Sequence, residues 1–423
     1  MTNSMKTIGR RDFLKAAAAT TTVAVTGFPY VAKADANTIR IGMTTILSGR
    51  VAMLGNTARA GASLVFDAVN QAGGINGKKI EFVVRDSEGK PDVAAKLTRD
   101  LINSEGCEII LSGESSAGSF AVQEVIRSLP VLCVHAETET SSLTADPKLF
   151  VKTAFRSCRQ GIHDAVVGGI YASKLAKEKD LKRWVTCSPD YAFGRDNTAQ
   201  FIELVKMYEP SIEFVDQTWP KLYAPDYTES ITKILSQQPQ AIYSALWGGD
   251  LVAFVEQANL YRLFDNTTMF STAIGDTPVL TAIKQLPEGI HTAYRYSRKS
   301  PDTQENRDFA DSFKKLMGYD PTGWGWEANV GAAFIVEALK RTNGKTDGAA
   351  LASELEDMTI KSPLGVNGEI TMRGSDHTII NYPVAWSQTV RKAPYLDNFV
   401  SVEWSKILEF EKEWQKSKGY IQG

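Results

Sequence analysis

From Thr38 onward the chain alternates short apolar strands with amphipathic helices, and this order constrains the fold more than any other feature. Ile39 to Met43 reads as a strand, and the helix after it carries Leu64, Val65, Ala68 and Val69 on one face. Gly73-Gly74-Ile75-Asn76-Gly77 closes that helix with residues that tolerate positive φ. Ile80 to Val84 is the next strand, and Pro91 opens a helix with Val93, Ala94, Leu97 and Leu101 inward. Glu108 to Leu111 is a strand, Ser115 or Ser116 caps a helix bearing Val122, Val125 and Ile126, and Val131 to Val134 is a strand again. Such an order requires a parallel sheet covered by helices on both faces.

The alternation resumes after residue 160. Helices near Ala165–Ala176, Asn197–Met207, Tyr227–Leu235 and Leu251–Leu260 separate strands at Trp184–Cys187, Ile212–Phe214, Ala241–Ala245 and Thr268–Ser271. The fold class is therefore α/β, with two doubly wound parallel-sheet lobes and no sequence repeat between them. A long helix is expected near Asn329–Arg341. A last one, over Ser401–Lys418, mixes Trp404, Leu408, Phe410 and Trp414 with charges and reads as packed on the body.

The first residues stand apart from this pattern. Arg10-Arg11-Asp12-Phe13-Leu14-Lys15 precedes an alanine- and threonine-rich stretch. Ala32-Lys33-Ala34 or Ala34-Asp35-Ala36 then offers a small-x-small cleavage site. This is a twin-arginine export signal over residues 1–36, cleaved near Ala34 or Ala36. Beyond it no apolar run approaches the roughly 20 residues of a spanning helix. A net charge of −2 over 423 residues gives no footprint for nucleic acid. Cys107, Cys133, Cys158 and Cys187 match no zinc spacing. A Cys107–Cys133 bridge and buried free thiols both remain open. The four histidines (His135, His163, His291, His377) show no metal-ligand spacing and read as structural or exposed. No catalytic motif and no phosphate loop is present, so neither an enzyme, a cofactor nor a metal is indicated.

Ligands of open α/β sheets bind beyond the carboxyl ends of the strands. There the sequence places Ser112-Gly113-Glu114-Ser115-Ser116, a hydroxyl-rich loop before a helix N-terminus, suited to a carboxylate or carbonyl. It also places Ala136-Glu137-Thr138-Glu139-Thr140, Asp190-Tyr191-Ala192-Phe193-Gly194, Leu246-Trp247-Gly248-Gly249-Asp250 and Thr322-Gly323-Trp324-Gly325-Trp326. Aromatic rings and glycines past strand ends suit a pocket for a small organic ligand.

Taken in order, several segments resemble the branched-chain amino-acid-binding family, the type I periplasmic solute-binding proteins of ABC importers. They are Ala58-Arg59-Ala60-Gly61, Asn70 to Ile80, Asp86, Ser115-Ser116, Leu143-Thr144, Asp190 to Gly194, Pro363-Leu364-Gly365 and Asp376-His377. The resemblance covers nearly all the chain after the signal. It implies the type I periplasmic binding protein fold: lobes of residues 37–155 plus 294–366 and 156–293 plus 367–423, joined by crossings near Phe155, Ala293 and Val366. It further implies a periplasmic monomer whose lobes close around a small-molecule ligand for a membrane permease. A sensing receptor of the same fold, acting through a partner, is the alternative.

Carried over by position, Ser116, with Ser115 beside it, falls where a ligand carboxylate is received. Ala136, Glu137, Thr138 and Glu139 fall on a loop supplying backbone and hydroxyl contacts. Phe193, Trp247 and Trp324 fall at aromatic positions, with Tyr191 adjacent to the first. The acid that takes an α-amino group falls at or near Ala273, with Asp276 as a nearby substitute. Two readings follow. Either Ser116 takes a carboxylate while the glutamates face solvent, or Glu114, Glu137 or Glu139 joins Tyr191, Trp247 and Trp324 in a cation site.

Overall fold

The computed structural model describes residues 37–421; the export signal expected over 1–36 lies outside them. The first sheet begins with β1 (Thr38–Thr45), β2 (Lys79–Asp86), β3 (Ile109–Ser112), β4 (Leu132–His135) and β5 (Ala154–Arg156), all parallel in the spatial order β2-β1-β3-β4-β5. Between these strands run α1 (Met53–Gln71), α2 (Pro91–Asn103), α3 (Ser116–Ile126) and the single turn α4 (Ser142–Ala145).

The second sheet repeats the order with β6 (Arg183–Cys187), β7 (Glu213–Thr218), β8 (Ala241–Ser244), β9 (Thr268–Ser271) and β10 (His291–Ala293), arranged β7-β6-β8-β9-β10. Its helices are α5 (Gly161–Lys179), α6 (Ala192–Tyr208), α7 (Thr228–Ser236), α8 (Gly248–Leu260) and α9 (Thr277–Ala282). Both sheets thus reverse strand order at their first strand, and such a reversal opens a crevice at the carboxyl ends. The parallel strands read as continuous apolar runs because helices bury both of their faces. Ile109, Ile110 and Leu111 of β3, and Ala241, Ile242 and Tyr243 of β8, are all buried.

The remaining elements complete each lobe. Helices α10 (Gln304–Met317), α11 (Gly323–Arg341) and α12 (Gly348–Leu355) pack on the first lobe, with α11 against α1. That crossing is close: a Cβ on Gly61 would stand 1.8 Å from the Gly325 carbonyl oxygen, so α1 tolerates no side chain there. Strands β11 (Thr359–Val366), β12 (Glu369–Arg373) and β13 (Thr378–Ile380) then extend the first sheet beyond β5. Strands β14 (Ala385–Thr389) and β15 (Leu396–Ser401) extend the second, and α13 (Trp404–Ser417) packs on α5. No described helix is long and apolar enough to cross a membrane.

The third crossing is not where the sequence reading put it. Val366 ends β11, and the chain turns back at Asn367 (φ 54°) and Gly368 (φ 79°) into antiparallel β12. An Asn-Gly pair with both φ positive is the two-residue hairpin turn matched to strand twist. Residues 367–380 therefore stay with the first lobe, and the chain crosses between Ile380 and Ala385. Cys107 and Cys133 are free, as are Cys158 and Cys187, and all four are buried. Burial pushes the Cys107 thiol up to about 12. His135, His163, His291 and His377 are buried as well.

The lobes meet at their rims. Arg50, in the loop before α1, donates from Nη1 to the Ala224 carbonyl at 2.5 Å and lies 3.3 Å from the Asp250 carboxylate at the start of α8. Asp250 is held by the Tyr223 backbone N–H at 2.8 Å. The Arg50 stem runs across Gly249, where a Cβ would come within 2.4 Å of it. Arg50→Ala is expected to loosen this rim. The Arg50 side chain is 35% exposed, so solvent screening holds the contribution to about 1 kcal/mol. Small-angle scattering of the ligand-free variant should show a larger radius of gyration; an unchanged profile would show that the clasp does not hold the lobes together.

Candidate functional site

A small cleft lies between the lobes, walled by strand-end loops of both sheets. The first lobe contributes Ser115 and Ser116, where β3 passes into α3. The Ser116 hydroxyl accepts from Thr140 Oγ1 at 2.8 Å, and the first N–H groups of α3 open towards this end. Leu54 of α1 adds apolar surface.

The loop after β4 supplies two carboxyls because its residues alternate in direction, as extended chain does. Glu137 and Glu139 line the cleft. Ala136 continues the strand pairing, its N–H donating to Ser112 O at 2.8 Å, and Thr138 turns inward to Ser119. Neither is part of the lining, because the alternation points them into the body. Buried Arg156 fixes the loop by donating to the carbonyls of Thr138 (3.3 Å), Thr140 (2.7 Å) and Ser141 (3.1 Å).

The second lobe covers these groups with rings. Tyr191 and Phe193 follow β6, and Trp247 follows β8. Trp247 donates from Nε1 to the Tyr191 hydroxyl at 2.9 Å and meets Trp324 edge-on, with centroids 5.9 Å apart. Trp324 reaches the cleft because α11 begins at Gly323, earlier than its apolar period suggested; the Thr322 side chain caps it by accepting from Gly325 N. Ala273 also lines the cleft, but Asp276 does not. The Asp276 carboxylate lies buried behind the wall and accepts from Gly323 N at 2.8 Å, which ties the second lobe to α11.

Arg295 was absent from the sequence reading and is in the cleft. It follows β10, where a cation between buried Tyr294 and Tyr296 was the available signal. Its Nη1 lies 2.5 Å from Glu139 Oε1, and its Nε donates to the Thr272 carbonyl at 2.5 Å. Behind it Arg159 donates from Nε to Glu327 Oε1 at 3.0 Å and stands 3.6 Å from Asp164 Oδ1. Burial raises the Glu137 carboxyl well above its usual range, and Glu327, Glu139 and Asp276 push it further the same way. Burial likewise brings Glu327 to about 8. Glu114 is turned away from the cleft and bonded to the Ser87 hydroxyl at 2.9 Å. Among the described residues no group of His, Cys, Asp and Glu could hold a metal ion.

The sequence profile described as "Periplasmic binding protein" matches residues 38–391. A Leu/Ile/Val-binding protein homolog 4 of Brucella abortus is 25% identical over 401 residues, covering 90% of each chain. The leucine-, isoleucine-, valine-, threonine- and alanine-binding protein of Pseudomonas aeruginosa is 22% identical, covering 85% of this chain and 94% of the relative. Among solved structures, a solute-binding protein of an ABC transporter from Rhodopseudomonas palustris in complex with 3,4-dihydroxybenzoic acid superposes with TM-score 0.76 at 22% identity, covering 86% of this chain and 97% of that one. A periplasmic binding protein from Burkholderia mallei superposes with TM-score 0.78 at 18% identity, covering 88% and 96%.

Proposed function

The chain belongs to the periplasmic binding protein family, and on that premise we propose that it is the extracytoplasmic substrate-binding component of an ABC importer. It captures a small organic solute between its lobes and presents the closed form to a membrane permease. The observation that carries this reading is the composition of the cleft. Hydroxyls and carboxyls come from one sheet and a wall of rings from the other, so a solute must touch both lobes. Only a ligand that binds the closed form better than the open one can shift such an equilibrium. Its apolar body packs on Trp247, Phe193 and Tyr191, and its polar end meets the loops at Ser115-Ser116 and Glu137–Glu139. The Pseudomonas relative binds leucine, isoleucine, valine, threonine and alanine, and a solved neighbour holds 3,4-dihydroxybenzoic acid, which supports a solute of that size. The protein works as a periplasmic monomer, delivered by the signal read over residues 1–36, and catalyses no reaction.

The test is a thermal-melting screen of the purified protein against amino acids, amides, aromatic acids and amines, followed by calorimetry on any solute that raises the melting temperature. Trp247→Ala removes a ring that is 4% exposed. Affinity for that solute should fall by about 1–3 kcal/mol, roughly 5- to 150-fold. Unchanged affinity would place the solute elsewhere.

A further inference from the structure

We propose that the solute carries a cationic N–H-bearing group, an ammonium or amidinium, and that Glu137 receives it. The inference rests on the solute-binding reading of the cleft and names its ligand chemistry. Glu137 is 4% exposed and lines the cleft, and neither of its carboxyl oxygens has a hydrogen-bond partner. A buried carboxyl left in that condition is costly, and a ligand donor removes the cost.

Each of the other carboxyls around the cleft has at least one ion-pair or hydrogen-bond partner, although Glu139 Oε2, both Asp164 oxygens and Glu327 Oε2 accept no hydrogen bond. Glu139 pairs with Arg295, whose Nε is bound to the Thr272 carbonyl. Arg159 is bound to Glu327 and stands beside Asp164, and Asp276 accepts from Gly323 N. Glu114 faces Ser87 rather than the cleft. The cluster as a whole holds carboxyls of Glu137, Glu139, Asp164, Asp276 and Glu327 against guanidiniums of Arg159 and Arg295. An added anion would find both guanidiniums already paired, whereas an added cation finds the unpaired carboxyl of Glu137. Trp247, Trp324 and Tyr191 line the same small space, and ring faces favour ammonium and guanidinium groups over carboxylates.

A dependence on pH follows. The groups facing Glu137 are Glu139 on its own loop, Glu327 on α11 and Asp276 before α9, with the neutral Cys158 thiol and the Tyr191 phenol nearby. These keep the free carboxyl protonated above its usual range, burial first among the causes. A bound cation favours the charged form, so binding releases a proton and affinity rises with pH.

The experiment compares isosteric probes on the purified protein: benzylamine, isopentylamine and benzamidine against benzoate, isocaproate and benzamide, with leucine and phenylalanine as zwitterions. Melting shifts and calorimetry should show the amines or the amidine binding at least about 10-fold tighter than the matching acids. Their affinity should rise between pH 6 and 8, with proton release seen in buffers of different ionisation enthalpy. Glu137→Gln, an isostere that keeps the cleft's shape, should weaken the cation about 30-fold or more. Acids or amides binding where the cations do not would overturn the cation inference and leave the solute-binding reading standing. No binding by any class would overturn both. A cation bound equally by Glu137→Gln would remove Glu137 as its acceptor.

Discussion

Arg159→Met should destabilise the protein by about 3–5 kcal/mol, the cost of leaving buried charges without their partner. Arg159 is fully buried just after β5, at the first crossing between lobes. Its guanidinium donates to the carbonyls of Tyr294 and Arg295 on the second crossing. Its carbon centre also stands 6.0 Å from the ring of Tyr382 on the third. The Tyr382 hydroxyl in turn accepts from Gln160 N at 3.0 Å, so one cation and one phenol join all three crossings. Burial disfavours the charge on Arg159, but Asp164 and Glu327 outweigh it and the guanidinium stays charged. Methionine fills similar volume while leaving the Asp164 and Glu327 carboxyls and two carbonyls without their donor. With roughly 2.1 cal/mol/K of unfolding entropy per residue, lobes that unfold together should melt about 4–6 °C lower. Adding Glu327→Gln removes one of the stranded carboxyls and should recover part of the loss; the interaction within that double-mutant cycle measures the pair. A single variant within about 0.5 kcal/mol of the parent would show that the crossings do not depend on Arg159.

The strand order was legible because buried parallel strands leave continuous apolar runs between turn residues, and Ile109-Ile110-Leu111 could be little else. Element ends were less legible. Gly323-Trp324-Gly325-Trp326 reads as loop on composition, yet Thr322 caps it into α11, and a Cβ on Gly325 would stand 2.7 Å from the Phe313 ring. The misplaced third crossing had a local signal, Asn367-Gly368, that a family-level expectation of a crossing near Val366 overrode.

The site divides the same way. Strand-end loops are local, so Ser115, Ser116, Glu137, Glu139, Tyr191, Phe193, Trp247 and Trp324 could be named from sequence, and the cleft brings them together. Ala136 and Thr138 were named with their loop because its alternation could not be phased without the Arg156 contacts. Arg159 and Arg295 could not be found by motif at all. Each belongs to no motif, and its role arises only where separate crossings converge. Glu114, Glu137 and Glu139 are likewise told apart by partners far along the chain: Ser87 for the first and Arg295 for the third.

Glu114→Gln should gain stability over the parent as pH rises from about 5 to 8. Glu114 lies under the first turn of α3, fully buried, where only glycine fits at position 118: a Cβ there would stand 2.7 Å from Oε2. Burial pushes its carboxyl up to about 8 from the ordinary glutamate value of about 4.5, although the Ser87 hydroxyl bond works the other way. Between those two values the folded chain keeps a proton that the unfolded chain has released. Raising the pH therefore favours unfolding, at up to about 1.4 kcal/mol per pH unit for one such group. The contribution is intact below the unfolded value and lost as pH rises towards the folded one, the reverse of an ion-paired carboxylate. Glutamine cannot ionise, so the variant should match the parent closely near pH 5 and exceed it by several kcal/mol near pH 8.5. Urea unfolding of both proteins at the two pH values measures this directly. Glu327, also raised to about 8, adds to the parent's own slope but cancels in the difference between parent and variant. A stability difference that does not change with pH would mean that Glu114 titrates alike in the folded and unfolded chain, and its burial would then carry no proton.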